Sequence, residues 1–215
     1  MTLIENPEQL TQVTAIFAGL ALSAAAGLRV FLPLLALAVA SRMGYVDLGN
    51  QFEWLSNPMI LLVLGTATVV EVASYYLPWV DNLLDTVATP AAIGSGTLIA
   101  TALLPEMNSA LQWGLGLLLG GGPAAVVQGT TVVTRGASTA TSGGLANPIV
   151  ATAETGGSIA VAGLAFVVPL LIGVLVIFVV GYLLIRIVRF LFRRRRSSTG
   201  AYNDPREDSS QPPQS

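Results

Sequence analysis

The chain has 215 residues and a net charge of −2, but only 10% of its residues are charged, 53% are hydrophobic and its mean hydropathy is +0.71. Soluble domains carry about 25% charged residues, so this composition excludes a soluble globular class and points to a membrane protein. Cysteine, histidine and lysine are all absent, which excludes disulfides, thiol nucleophiles, imidazole bases, ordinary zinc sites, Schiff bases and Ser/Lys dyads together.

Residues 1–12 form a polar N-terminal segment. With Glu5 and Glu8 and no basic residue, it lacks the positive n-region of a secretory signal. The transmembrane domain is expected over residues 13–192. Its first span, about 16–40, is long enough to cross a bilayer with tilt and holds one charge, Arg29. Pro33 cannot donate to the carbonyl of Arg29 four residues earlier, so a buried guanidinium and a freed backbone oxygen are expected at one place.

A polar connection with Arg42, Asp47, Glu53 and Trp54 follows, read as a segment at headgroup level. Asn57-Pro58 opens a second span, 58–77, with Pro in the first turn. Glu71 lies in its second half, and Tyr75, Tyr76 and Trp79 mark the far interface. Pro78 breaks the helix. Asp81 and Asp85, four apart, then share one face of a re-entrant or interfacial acidic segment.

The third span, 86–104, is interrupted by Pro90, Gly94 and Gly96. The fourth, 111–133, carries Gly116 and Gly120 at a spacing that lets helix backbones approach closely, either within the chain or in a homo-oligomer. The Gly120-Gly-Gly-Pro123 run is no phosphate loop, because no lysine follows it. Residues 130–155 are small and hydroxyl-rich around Arg135, Asn147-Pro148 and Glu154, as suits a solvated loop or the lining of a polar cavity. The last span, 158–185, runs through Pro169 into Arg186, Arg189 and Arg193–Arg196. Six of the ten arginines lie there, beside a hydrophobic span, where they set topology and meet anionic lipid; this argues against nucleic acid as a partner. Residues 193–215 read as a basic, then disordered, cytoplasmic tail.

The predicted fold is therefore an all-α integral membrane protein of five spans, with six allowed by the length of the first and last. The arginine cluster predicts an inner-membrane protein with its C-terminus cytoplasmic. On that topology Arg42 is also cytoplasmic, while the N-terminus and Asp81/Asp85 lie outside. A sparse echo at an offset of ninety residues, Pro33 with Pro123 and Asn57-Pro58 with Asn147-Pro148, suggests an inverted repeat.

Three stretches carry a family resemblance: Gly27-Leu-Arg-Val-Phe-Leu-Pro33, Leu77-Pro-Trp-Val-Asp-Asn-Leu-Leu-Asp-Thr-Val-Ala-Thr-Pro90, and Thr134-Arg135 followed by Ala146-Asn-Pro148 and Glu154. Together they resemble the bacterial membrane family known as domain of unknown function 4126, over roughly residues 14–175. The resemblance implies a polytopic membrane protein and assigns no activity. It also implies a second acid after Glu154, where this chain has Thr155.

Ionisable groups at bilayer depth usually face a bundle interior or a watery cavity. The candidate ion- or substrate-binding set is Arg29, Glu71, Asp81, Asp85, Arg135 and Glu154. Four acids against two arginines leave a surplus of −2, which a bound cation or protons would relieve. A small transporter or channel with an acidic, cation- or proton-coupled site is the leading expectation. A non-catalytic scaffold or assembly factor, its buried charges forming structural pairs that a charge exchange such as Arg29→Glu with Glu71→Arg would test, is the alternative. A magnesium-dependent lipid-linked transferase using Asp81 and Asp85 is the third reading. No cofactor is evident, no catalytic residue stands out, and the metal question is open.

Overall fold

A computed structural model describes the backbone of residues 7–76 and 80–199 and the side chains of residues 10–76 and 86–190. Its elements are α1 (Pro7–Ala26), α2 (Phe31–Arg42), a 3-10 turn (Asn50–Ser56), α3 (Pro58–Ser74), α4 (Val80–Leu103), α5 (Ser109–Gly116), a π turn (Leu117–Gly121), α6 (Gly122–Ser142), α7 (Asn147–Val167) and α8 (Pro169–Thr199). No strand occurs among the described residues, so the all-α expectation holds. Met1–Val180 form one compact unit; Gly181–Ser215, the remainder of α8 and the tail, form another.

The expected first span is two helices, not one. It breaks at Gly27–Val30, and α2 turns back alongside α1. Thr11 of α1, Tyr45 and Asp47 beyond α2, Leu103 at the end of α4 and Pro169 at the start of α8 line one pocket. The start of α1 and the end of α2 therefore lie at the same end of the bundle. At the other extreme of the hairpin, Gly27 packs on Ala124 and Val127 of α6, and Arg29 bonds Ala151 and Thr155 of α7. The α6 contact falls at the middle of the continuous 109–142 helical rod and the α7 contact in the first half of α7, so α1 and α2 form a re-entrant hairpin whose tip lies partway down the bundle.

This arrangement overturns two sequence expectations. Pro33 sits in the first turn of α2, where no intrahelical bond is lost, so it frees no carbonyl. The segment around Arg42 lies at the same end as the start of α1, not opposite it. Val80, which opens α4, lies at the far end of a helix about 36 Å long at 1.5 Å per residue. The acidic segment that follows Pro78 is thus the first turn and a half of α4. The side chains of Asp81 and Asp85 fall outside the described residues, as do Leu77–Trp79 and the tail 200–215.

The hydroxyl-rich 130–155 stretch is not a loop either. It supplies the second half of α6 and the first part of α7, joined by a turn in which Gly143 and Gly144 take φ of 63° and 91°, a left-handed region that favours glycine. The expected last span is likewise divided at Pro169 into α7 and α8. Four helical stretches are long and apolar enough to cross a membrane: Thr86–Leu103, Ser109–Ser142, Asn147–Val167 and Pro169–Phe190. The pair Asn50–Ser56 with Pro58–Ser74, bent by 63°, makes a fifth where it is counted as one broken span. Against the five expected, the described residues thus offer four spans, or five with the bent pair, and with different members.

α3 starts as its residues require, Asn57 Oδ1 accepting Met59 N–H at 2.9 Å with Pro58 in the first turn. Its outward face, with Val63 and Val69, and those of α6 and α7, with Val133, Ile149 and Val167, are exposed and apolar, as a lipid-facing surface must be. Inside, Leu22, Leu37, Leu55, Ile99, Ala162 and Ile172 join α1, α2, α4, α7 and α8 in one core.

α4 crosses the α5–π–α6 rod at small residues. A Cβ on Gly96 would lie 2.7 Å from the Gly120 carbonyl oxygen, and one on Gly120 would lie 2.6 Å from Ala100 Cβ. Gly116 and Gly120 are buried by this crossing within the chain. The ninety-residue echo acquires a structural counterpart: Pro33 and Pro123 lie in the first turns of α2 and α6, and Asn57-Pro58 and Asn147-Pro148 start α3 and α7. α3 runs away from the pocket shared by Thr11 and Pro169, and α7 runs toward it. The packing does not repeat in the same way, since α2 packs on α7 whereas α6 and α3 make no comparable contact.

Candidate functional site

The hairpin tip is an interruption of helix inside an apolar bundle, so its backbone polar groups need partners from elsewhere in the protein. Three helices supply them. From α3, the Glu71 carboxylate accepts Val30 N–H at 2.6 Å and Phe31 N–H at 3.0 Å, capping the start of α2 with a negative charge. From α4, Ser95 Oγ donates to the Val30 carbonyl at 2.8 Å. From α7, Ser158 Oγ donates to the Ala25 carbonyl at 3.3 Å. In return, Ser23 of α1 donates to the Gly96 carbonyl at 2.9 Å.

Arg29, at 1% exposure the largest fully buried side chain, ties the tip to α7. Nε donates to Thr155 Oγ1 at 2.9 Å, Nη2 to the Ala151 carbonyl at 2.8 Å, and Nη1 to Glu154 Oε2 at 3.1 Å and to its neighbour Leu28's carbonyl at 3.3 Å. Arg135 reaches the same carboxylate from α6. Its Nε donates to Glu154 Oε1 at 3.2 Å and its Nη2 to Glu154 Oε2, a two-pronged pairing that suits a planar guanidinium. Both guanidinium carbons lie over the Tyr75 ring, 4.2 Å from its centroid for Arg29 and 3.8 Å for Arg135, within cation–π range.

One carboxylate therefore serves two buried arginines, while the other, Glu71, bonds only backbone. Among the described residues Glu71 makes no ion pair; of the pairings the sequence left open, Arg29 takes Glu154. Four of the six candidates, Arg29, Glu71, Arg135 and Glu154, converge on the tip. The buried charge they carry is balanced, two positive and two negative, so the expected surplus of −2 would have to come from Asp81 and Asp85. Among the described residues no group of three acids is placed to hold a metal ion.

Sequence reading missed Tyr75, Ser95, Thr155 and Ser158. Tyr75 read as an interfacial aromatic but is 4% exposed. Its position four residues beyond Glu71 on α3 was the available signal, since that spacing puts both on one helix face.

The family model described as "Domain of unknown function (DUF4126)" matches residues 16–189, from within α1 into α8. The chain belongs to this family. The matched region contains the hairpin and every residue of the buried cluster. No curated protein and no solved structure matches the chain. The family resemblance implied a second acid at position 155; Thr155 instead accepts from Arg29 Nε, so here a neutral hydroxyl holds that guanidinium edge.

Proposed function

We propose that this membrane protein is a small transporter or channel of the bacterial inner membrane, its C-terminus cytoplasmic, coupled to protons or cations through the hairpin-tip cluster. The observation that carries this reading is the re-entrant hairpin, whose non-helical tip presents buried ionisable groups partway down the bundle. Interrupted helices at membrane depth are tolerated where they are shielded by protein or line a polar path, and substrate and coupling-ion sites of many transporters are built from them.

Within the cluster the two glutamates divide the work. Glu154 is a fixed anion pinned by two guanidiniums. Glu71 is the proton carrier: its partners are two N–H groups at the start of α2, and a proton on its carboxyl removes the charge that holds them. Loading Glu71 therefore loosens the tip from α3, and unloading clamps it again.

The test is ion and proton flux into proteoliposomes. Wild-type protein under a proton gradient should show flux, and Glu71→Gln, which imitates the protonated acid, should reduce gradient-coupled flux by about ten-fold or more while the protein keeps its helical content. An absence of wild-type flux under gradients of protons, alkali cations and small anions would overturn the reading.

One observation favours the scaffold alternative. Arg29 donates four hydrogen bonds, so the tip is strongly anchored. On that reading the cluster is a structural lock, and its variants change melting temperature with no flux to lose. The transferase reading rests on Asp81 and Asp85 alone.

A further inference from the structure

The buried polar residues of α6 and α7 extend beyond the ion cluster. On α6, Gln128, Thr131, Arg135 and Ser138 recur every three or four residues and are all buried. On α7, Asn147, Glu154 and Ser158 are also buried on one face, seven and four residues apart, with the apolar Ala151 between the first two. The two stripes face each other, since Arg135 pairs with Glu154 and Asn147 Nδ2 donates to Thr139 Oγ1 at 3.1 Å. Their line runs from Asn147, beside the Gly143–Gly144 turn at one end of the bundle, to Ser158 at the hairpin tip.

A dry polar zipper between helices is the plainer account of such a stripe, and it requires every hydroxyl to be satisfied internally. Most other hydroxyls of α6 comply: Thr130, Thr134, Thr141 and Ser142 donate to the carbonyl four residues back and Thr131 to that of Gln128, while Thr139 accepts from Asn147. Ser138 does not. Its Oγ is buried, the residue is 9% exposed, and it has no hydrogen-bond partner among the described residues. An unsatisfied buried hydroxyl is destabilising, and a back-bond like its neighbours' would relieve that cost. Its position is one turn beyond Arg135, on the line between Asn147 and the tip.

We propose that the α6–α7 stripe is a hydrated half-channel leading from the Gly143–Asn147 end of the bundle to the hairpin tip, with Ser138 hydrogen-bonding the water that fills it. A water there needs two to four polar partners, and the stripe offers hydroxyl, amide and carboxylate groups in sequence. The half-channel deepens the transport reading by giving Glu154 and the tip an aqueous approach, but it does not require that flux occur.

The chain has no cysteine, so the full-length protein can carry a single reporter thiol in proteoliposomes. Ser138→Cys is compared with Val133→Cys and Ile149→Cys, whose parent residues are 71% and 73% exposed on the apolar outer face. The probe is a small hydrophilic methanethiosulfonate, which reacts with thiolate and so requires water at the sulfur. Modification of Ser138→Cys about ten-fold or more faster than both controls is expected; a rate equal to or below theirs overturns the half-channel. Should Ser138→Cys fail to fold, Ser138→Ala decides: a lower melting temperature fits a lost water ligand, and a higher one fits a dry orphan hydroxyl. Flux in the same liposomes separates the two ideas. Labelling without flux leaves the half-channel standing and removes transport, and flux without labelling does the reverse.

Discussion

Glu154→Ala is expected to destabilise the protein by about 3–5 kcal/mol, the range for removing one partner of a buried ion pair. Here the variant removes a carboxylate that bonds both Arg29 and Arg135. Both guanidiniums lie over one tyrosine ring, close enough to repel each other once that shared carboxylate is gone. The measurement is the midpoint of helix loss by circular dichroism as SDS is titrated into detergent-solubilised protein. The double variant Arg135→Gln with Glu154→Gln should recover part of the loss, since it removes a stranded charge together with its partner, and such recovery is the signature of direct coupling. A Glu154→Ala midpoint indistinguishable from wild type would show that the three groups are not coupled as described.

Gly120→Val is expected to abolish the folded state. Overpacking typically costs about 1–3 kcal/mol where neighbouring side chains can move aside. At Gly120 the obstruction is the Gly96 backbone, with Ala100 Cβ 2.6 Å from the position a Cβ would take, and backbone in the middle of a helix cannot yield. The yield of monodisperse protein after detergent extraction should fall to near zero. Gly65→Ala is the matching control, because a Cβ on Gly65 meets nothing within 4 Å and alanine is the better helix former. Its yield and melting temperature should equal or exceed those of wild type. Equal yields for the two variants would mean that the α4–α6 crossing is looser than the structure describes.

Much of this architecture was legible before any coordinate. Composition alone identified the membrane class. Apolar run length identified a multi-span helical bundle, and the cost of charge at depth picked out Arg29, Glu71, Arg135 and Glu154 as residues that must meet something. Asn57-Pro58 announced the start of α3 through its own capping chemistry. The errors share one cause. Hydropathy reports that 16–40 is apolar, but not that the chain reverses at Gly27–Val30, because a re-entrant hairpin and a single long helix bury the same residue types. Hydroxyl-rich 130–155 looked like a loop because threonine and serine are poor evidence of helix, yet back-bonded hydroxyls are comfortable in helices packed against one another.

The sequence by itself determined what had to be inside the membrane and which charges needed partners, because solvation penalties depend on residue type and not on the rest of the fold. Which partner each charge takes was decided only in three dimensions. Arg29 meets a carboxylate 125 positions away instead of the one 42 positions away, and Glu71 meets a helix start instead of an arginine. Either pairing would satisfy the same electrostatic requirement. The choice between them follows from the reversal at Gly27–Val30 and from the glycine contacts that set α6 beside the tip. Those are properties of packed backbones, and no local pattern in the chain encodes them.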